Sequence, residues 1–373
     1  HLRPVEIKTD ISIIKVKKNV EIVIRKIKTA QKIHQYRNRV EPCFRLRSVG
    51  RFSFRGNLQR FSYASYVEPV SAPLDRFAEI FNGVQTSAER PQPIYWFAGE
   101  DIISEDDDTI TVKKDGKVYS IEKKILKPYF KPTKKAEKGL TTYNSLTTDK
   151  KIIFPYDSEG HLIPIETMKA DYPGTYTYLL NYYDRLVPKC VSKEGIRDVP
   201  NATADTWYQY GRTQALTAFI DTPKLIVKVM AKDNPMYAID KADMLIASGG
   251  TAGYCAVAKK ADSCYDLEYI QAWLANSYTE KIFNIVGSDF EGGFISRGTF
   301  VLSSLPFVML NFDDPKQKSL YDRVVEATRK VYTINDKLAE KPAKQVETTL
   351  IRKKTALIKE IDEFISRVYR LEF

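Results

Sequence analysis

Residues 313–373 constrain the fold more than any other part of the chain. Leu320, Val324, Ala327, Val331, Ile334 and Leu338 step by four, three, four, three and four. After the "EKPA" stretch at 340–343 the rhythm resumes at Val346 and Leu350. It runs on through Leu357, Ile361, Phe364, Val368 and Leu371, with Lys353 as a polar interruption. Steps of three and four keep apolar side chains on one stripe of a helix. Two such stripes joined by a short proline loop predict an antiparallel helical hairpin. The hairpin reads equally as packing onto a neighbouring domain or as a spacer or docking arm.

Upstream, strands and helices mix. "DISIIKVKKNVEIVIRKIK" (10–28) reads as two strands with a Lys-Lys-Asn turn, and "RLRSVGRFSFRGNLQRFSYASY" (45–66) interleaves Arg with Phe and Tyr. "LDRFAEIF" after Pro73 predicts a helix and "NGVQTSAE" (82–89) a loop. "IYWFA" and "KKIIFPYD" predict strands, and "TITVKKDGKVYSIE" a hairpin turning at Lys-Lys-Asp-Gly. "DYPGTYTYLLNYYDRLVPKC" (171–190) predicts one helix opened by Asp171 and Pro173, with Tyr176, Leu179, Tyr183 and Leu186 as its apolar stripe. "KLIVKVM", "YAIDKADMLIA" and "GYCAVA" are strand material. Residues 265–287 predict one helix with Leu267, Ile270, Leu274, Tyr278 and Ile282 on a face, and 289–310 a glycine-rich loop with a buried strand ending at Pro306. The fold class expected is mixed α/β (α+β) with a C-terminal helical hairpin.

Charge is unevenly placed. The chain carries a net +11, yet residues 1–60 alone hold 16 Lys or Arg against 4 Asp or Glu. Residues 112–138 carry ten Lys against Asp115, Glu122 and Glu137, directly after the acidic run "SEDDD". A localised basic field suits a polyanion, of which nucleic acid is the commonest; lysines blocking strand edges are the alternative. No run of about 18 apolar residues is present, so no membrane span is expected. The start "HLRPVEIKTD" lacks both an apolar leader and an initiator Met, so a fragment of a longer chain is expected. Cys43, Cys190, Cys255 and Cys264 are scattered, and only His1, His34 and His161 accompany them, which argues against a disulfide framework or a zinc site and points to a reducing cytoplasm.

Catalytic motifs are weak. "DNPMY" (233–237) imitates the Asn-Pro-Pro-aromatic loop that holds a flipped adenine, but Met236 stands at the second proline. "SGGTAGY" (248–254) imitates a nucleotide loop but precedes a strand rather than a helix. No Walker loop or Gly-x-Ser-x-Gly appears, so the chain is expected to bind rather than react.

"TWYQYGRTQAL" (206–216) concentrates binding chemistry. Arg212 suits a phosphate or guanine O6 and N7, or else pairs with an acid where Gly211-Arg212 turns the chain, and Gln214 suits adenine N6 and N7. Trp207 and Tyr208 read either as a stacking surface or as core, with Gly211 turning the chain. "FEGGFISR" offers Gly292 and Gly293 for close backbone approach, and Arg297 for charge. Arg47, Arg51 and Arg55 lie near aromatic residues in the sequence and read either as a twisted strand with its apolar face buried and guanidiniums outward or as a surface for phosphates and stacked bases. Gln85 and Thr86 in the 82–89 loop, with Lys127 and Lys131 in the Lys-rich segment, complete the candidates.

These runs share an order. "FAEIFNGVQTSAE", "KILKPYFKP", "KIIFPYD", "YPGTYTYLLNYYDRLVPK", "WYQYGRTQAL", "MYAID", "ASGGTAGYCAVA", "LEYIQAWLANSYTEKIF", "FEGGFISRGTFVLSSLPF" and "IDEFISRVYRLEF" follow one another over about residues 73–373. Together they resemble the target-recognition region of Taq-type adenine-specific DNA methyltransferases and of type IIG restriction-modification enzymes. The resemblance implies a DNA-recognition domain at 73–312, the helical hairpin at 313–373, and at 1–72 a basic connector ending a methyltransferase domain upstream. It implies double-stranded DNA as partner and no cofactor on this chain. S-adenosylmethionine and adenine methylation would belong to the full-length parent, with or without a fused endonuclease. The alternatives are a separate type I-like specificity subunit and a module that docks a nuclease subunit.

Overall fold

The computed structural model describes residues 71–132, 142–143, 146–213, 215–232, 235–241, 244–248 and 253–370. Arg47, Arg51, Arg55, the strands expected at 10–28 and Gln214 lie outside the described residues, as do Asp233 and Asn234.

The described chain opens with β1 (Ser71–Pro73), a 3-10 turn at Leu74–Arg76, and β2 (Ala78–Asn82). The helix expected from "LDRFAEIF" is therefore a turn and a strand. β2 pairs residue by residue with a later strand, and that pairing overrides helical spacing. β3 (Trp96–Phe97), β4 (Ile102–Glu105), β5 (Thr109–Lys114), β6 (Lys117–Glu122), β7 (Leu126–Phe130) and β8 (Lys151–Ile153) follow. The β5–β6 hairpin turns where expected. Asp115 and Gly116 both take positive φ, 49° and 76°, as a two-residue hairpin turn requires.

Three helices come next: α1 (Ile165–Asp171), α2 (Pro173–Leu180) and α3 (Tyr183–Leu186). Asp171 thus ends one helix instead of opening the next, and the single helix expected at 171–190 breaks after Leu180. Asn181 takes the end of α2, its Nδ2 donating to the Thr177 carbonyl at 2.8 Å. Tyr178 and Tyr182 are buried, while Tyr176 and Tyr183 are half-buried.

β9 (Lys224–Lys228), β10 (Met230–Ala231), β11 (Tyr237–Asp240), β12 (Leu245–Ile246) and β13 (Tyr254–Lys259) build the centre. The expected 265–287 helix is two, α4 (Leu267–Ala275) and α5 (Ser277–Val286). Asn276 makes the break: its Oδ1 accepts from the Tyr278 amide at 2.9 Å, capping α5, and its Nδ2 donates to Asp362. β14 (Asp289–Phe290), β15 (Phe294–Ser296), α6 (Thr299–Ser303) and β16 (Pro306–Val308) precede the helical pair α7 (Pro315–Ala339) and α8 (Lys344–Arg370). Pro306 begins the buried strand rather than ending it.

The antiparallel sheet β11–β9–β13–β2 is buried on both faces. Its register sends Leu225, Val227, Tyr237, Ile239, Cys255 and Val257 to one side. Ile226, Ala238, Ala256 and Phe81 go to the other. This accounts for the near-continuous apolar runs "LIV" and "YCAVA": neither face meets water. On the first side lie α4 to α8, with Trp273, Phe307, Val324 and Ile365 in one core. On the second lies a β-rich lobe with Tyr95, Phe97, Ile110, Tyr178 and Tyr210. Lys224 and Asp240 face each other across β9 and β11, buried, with Nζ 2.7 Å from Oδ2.

The helical pair forms as expected. Leu320, Val324, Ala327, Val331 and Ile334 of α7 are buried, as are Ile361, Phe364 and Val368 of α8. The earlier part of α8 is different: no residue before Ile361 is buried, and Val346 is 51% exposed. No helix among the described residues is long and apolar enough to cross a membrane.

Candidate functional site

Three chain segments meet at the rim of the β-rich lobe. The strand order β12–β7–β8–β3 is extended there by isolated bridges, Val84 to Ala247 in parallel and Gln85 to Arg212 antiparallel. The close approach has a sequence cause at two glycines. A Cβ on Gly83 would lie 2.4 Å from the Ile246 carbonyl oxygen, and one on Gly211 only 1.9 Å from Ser87 Oγ. Both positions admit hydrogen alone. Gly211 then donates its amide to the Thr86 carbonyl at 3.1 Å, and Arg212 to that of Gln85 at 3.2 Å.

The aromatic run beneath is core, which corrects the alternative of a stacking surface. Trp207 and Tyr208 are 2% and 1% exposed. Trp207 meets Tyr183 edge-on at 5.0 Å, and the Tyr208 hydroxyl donates to the Ile163 carbonyl. Tyr210 is buried too, with its amide on the Tyr156 hydroxyl at 2.7 Å. Large rings with one polar end fit this lobe, where the hydroxyls of Tyr95, Tyr178, Tyr208 and Tyr210 each donate to a backbone carbonyl.

Arg197, which the sequence reading did not single out, holds the platform together. Buried, it donates from Nη1 to the carbonyls of Leu186 at 2.9 Å and Trp207 at 3.3 Å. From Nη2 it donates to Thr86 at 3.0 Å and Gln209 at 2.5 Å. One guanidinium so joins three separate segments, as its planar fork of donors permits. Its partners lie up to 111 positions away, and no periodic or local signal marks it.

What faces outward is narrow. Gln85 is exposed, and the Arg212 side chain is 41% exposed. The Arg212 guanidinium rests on the carbonyls of Gly211 at 2.7 Å and Asp198 at 3.1 Å, with the Asp198 carboxylate 3.5 Å away and itself 82% exposed. An ion pair this open is weak and easily exchanged for another anion.

The remaining candidates divide. The Thr86 side chain is buried, its Oγ1 donating to Glu89 at 2.9 Å, so it supports the loop from within. Glu89 also accepts from Trp96 Nε1 at 3.0 Å and from Lys131 Nζ at 2.5 Å. Lys131 is therefore part-buried and already paired, over the Trp96 ring at 5.2 Å. Lys127 is half-buried on β7 and interacts with its surroundings. Arg297 is fully buried, which corrects its place among exposed cations. It pairs with Glu280, donates to the Tyr237 hydroxyl at 3.2 Å and the Ala231 carbonyl at 3.2 Å, and lies over Phe283 at 4.9 Å. Its sequence signal, an arginine after a glycine loop, does not distinguish a strut from a surface cation. Gly292 and Gly293 do sit outside, at the β14–β15 turn with φ of 79° and 77°. Exposed Phe290 and Phe294 flank them, and Asp289 and Glu291 make that tip acidic.

Among the described residues no group of three His, Cys, Asp or Glu side chains is placed to hold a metal ion. The "SGGTAGY" run feeds β13, a strand buried on both faces, so it lacks the helix N-terminus that a bound nucleotide's phosphates would use.

No family model matches the chain. Over 270 residues it is 32% identical to the type II restriction enzyme and methyltransferase RM.Eco57I of Escherichia coli. The match takes in 71% of this chain but only 26% of that protein, so the chain spans about a quarter of its relative's length. The similarity relates the chain to restriction–modification proteins.

Proposed function

We propose that this chain is the DNA target-recognition part of a restriction–modification adenine methyltransferase. The observation that carries the reading is the Gln85–Arg212 bridge. Two side chains of base-reading chemistry stand on adjacent exposed backbone, over a platform of buried aromatics locked by Arg197. Base reading needs such rigidity, because a hydrogen-bond donor on a mobile loop discriminates poorly. Gln85 offers an amide for adenine N6 and N7, and Arg212 a fork for guanine O6 and N7 or for a phosphate. Likeness to a restriction enzyme and methyltransferase supplies the context.

On this reading double-stranded DNA is the ligand, and a methyltransferase domain preceding residue 73 is the covalent partner. That domain would bind S-adenosylmethionine and supply the methyl group. The present chain's share is to hold the duplex in register.

The test is duplex binding by the purified chain across a salt series. Affinity that falls steeply with salt, and that is higher for one sequence than for random DNA, is the expected result. Absence of any duplex binding at low salt would remove the reading.

A further inference from the structure

Helix α8 carries a second charged surface, remote in sequence from the Gln85–Arg212 rim. Residues 341–359 hold six Lys or Arg against Glu347 alone, a net of +5. Several other cations of the helical pair are matched. Lys318 pairs with Asp322, Arg323 with Glu360, Arg329 with Asp266 and Glu268, and Lys330 with Glu326. Among the described residues, Lys344, Arg352 and Lys359 make no ion pair, and all three are exposed. At about 100° per residue, Arg352 and Lys359 fall on one face with Gln345, Thr348, Thr349 and Thr355, and Lys344 at its edge. The apolar side, with Leu350 and Leu357, points the other way, toward α7. From Lys344 to Lys359 the face thus holds cations, hydroxyls and an amide, with no acid and no large apolar side chain; Glu363, one turn further along it, and Glu360 at its edge are paired with Arg370 and Arg323. A protein partner would require apolar area at the centre of such a patch. A phosphodiester backbone requires what is present.

We infer that this face of α8 binds the phosphate backbone of duplex DNA, as a sequence-independent grip separate from the recognition rim. The inference rests on duplex DNA being the chain's ligand. Lys344 and Lys359 are about 22 Å apart along the helix at 1.5 Å per residue. That exceeds the roughly 12 Å width of a major groove, so the face reaches phosphates on both sides of one. The cations stay unpaired because their counter-charge comes with the ligand, and the mutual repulsion along the helix is relieved when it arrives.

The experiment compares the unaltered chain, the triple variant Lys344→Gln/Arg352→Gln/Lys359→Gln, and Arg212→Ala, on a random-sequence duplex over a range of NaCl. Each lost phosphate contact reduces the slope of log K against log salt by about 0.9. The triple variant is expected to lose about two to three units of slope with an unchanged melting temperature, and Arg352→Lys alone to keep the slope. An unaltered slope in the triple variant would overturn the inference and leave the rim reading standing. No binding by the unaltered chain would remove both. A triple variant that melts early is replaced by Arg352→Gln/Lys359→Gln, judged by the same slope.

Discussion

The guanidinium of Arg197 and the carbonyl of Thr86 meet 3.0 Å apart inside the β-rich lobe, and the same carbonyl receives the amide of Gly211. Replacing Arg197 by Met keeps much of the volume, takes the guanidinium from the carbonyls of Leu186, Trp207 and Gln209, and leaves that of Thr86 with the Gly211 amide alone. The expected loss is roughly 3 kcal/mol or more, read as a lower denaturation midpoint. DNA affinity should fall with it, since Gln85 and Arg212 are positioned through that contact. Full stability in Arg197→Met would show the platform is held some other way.

Gly211→Ala places a methyl group against Ser87, whose φ is 56°. Overpacking of this kind costs about 1–3 kcal/mol. Adding Ser87→Gly removes both the obstructing side chain and the strained backbone, so the double variant should regain most of the loss. A cycle of urea melts on the four proteins measures the coupling; simple additivity would contradict the contact.

Arg212→Ala should leave thermal stability within about 0.5 kcal/mol, because its ion pair is open to solvent. Its effect belongs to DNA. A base-reading role costs about 1–3 kcal/mol on the preferred site alone, and a phosphate role lowers all affinities together. Asp198→Asn removes the competing carboxylate and should tighten binding. A fall in melting temperature with DNA binding intact would move Arg212 to the structural side.

Acid should loosen the β4–β5–β6 sheet at a defined place. Glu105 bonds first with Lys151 and then with Lys123, which hold its carboxyl down at about 2. A depressed acid contributes stability above its unfolded value of about 4.3 and loses it as pH falls through the folded value. Glu105 resonances should therefore titrate near 2. Lys151→Met should raise that midpoint, and a midpoint unmoved by the substitution would dismiss the pairing.

Legibility in the sequence followed the range of the forces involved. The α7–α8 pair, the Asp115-Gly116 hairpin and the central strands were readable because periodicity and turn chemistry act locally. The breaks at Asn181 and Asn276 were missed because an apolar stripe continues across them, while a single amide side chain diverts the backbone. "LDRFAEIF" failed for another reason: β2 obtains its partner, β13, from some 175 positions downstream. At the rim, Gly211 and Arg212 stood out as residue types, whereas Arg197 and Arg297 could be told from surface cations only by what folds around them.

The sheet β11–β9–β13–β2 is a party wall, with a tenant on either side. Substitutions at Leu225 or Ile226 are felt in one core directly and in the other through the shared backbone. Such a wall ages slowly while the fittings around its edge are exchanged. A chain built this way can acquire a new Gln85 or Arg212 without renegotiating its interior, and the freedom to change what it reads is confined to the rim.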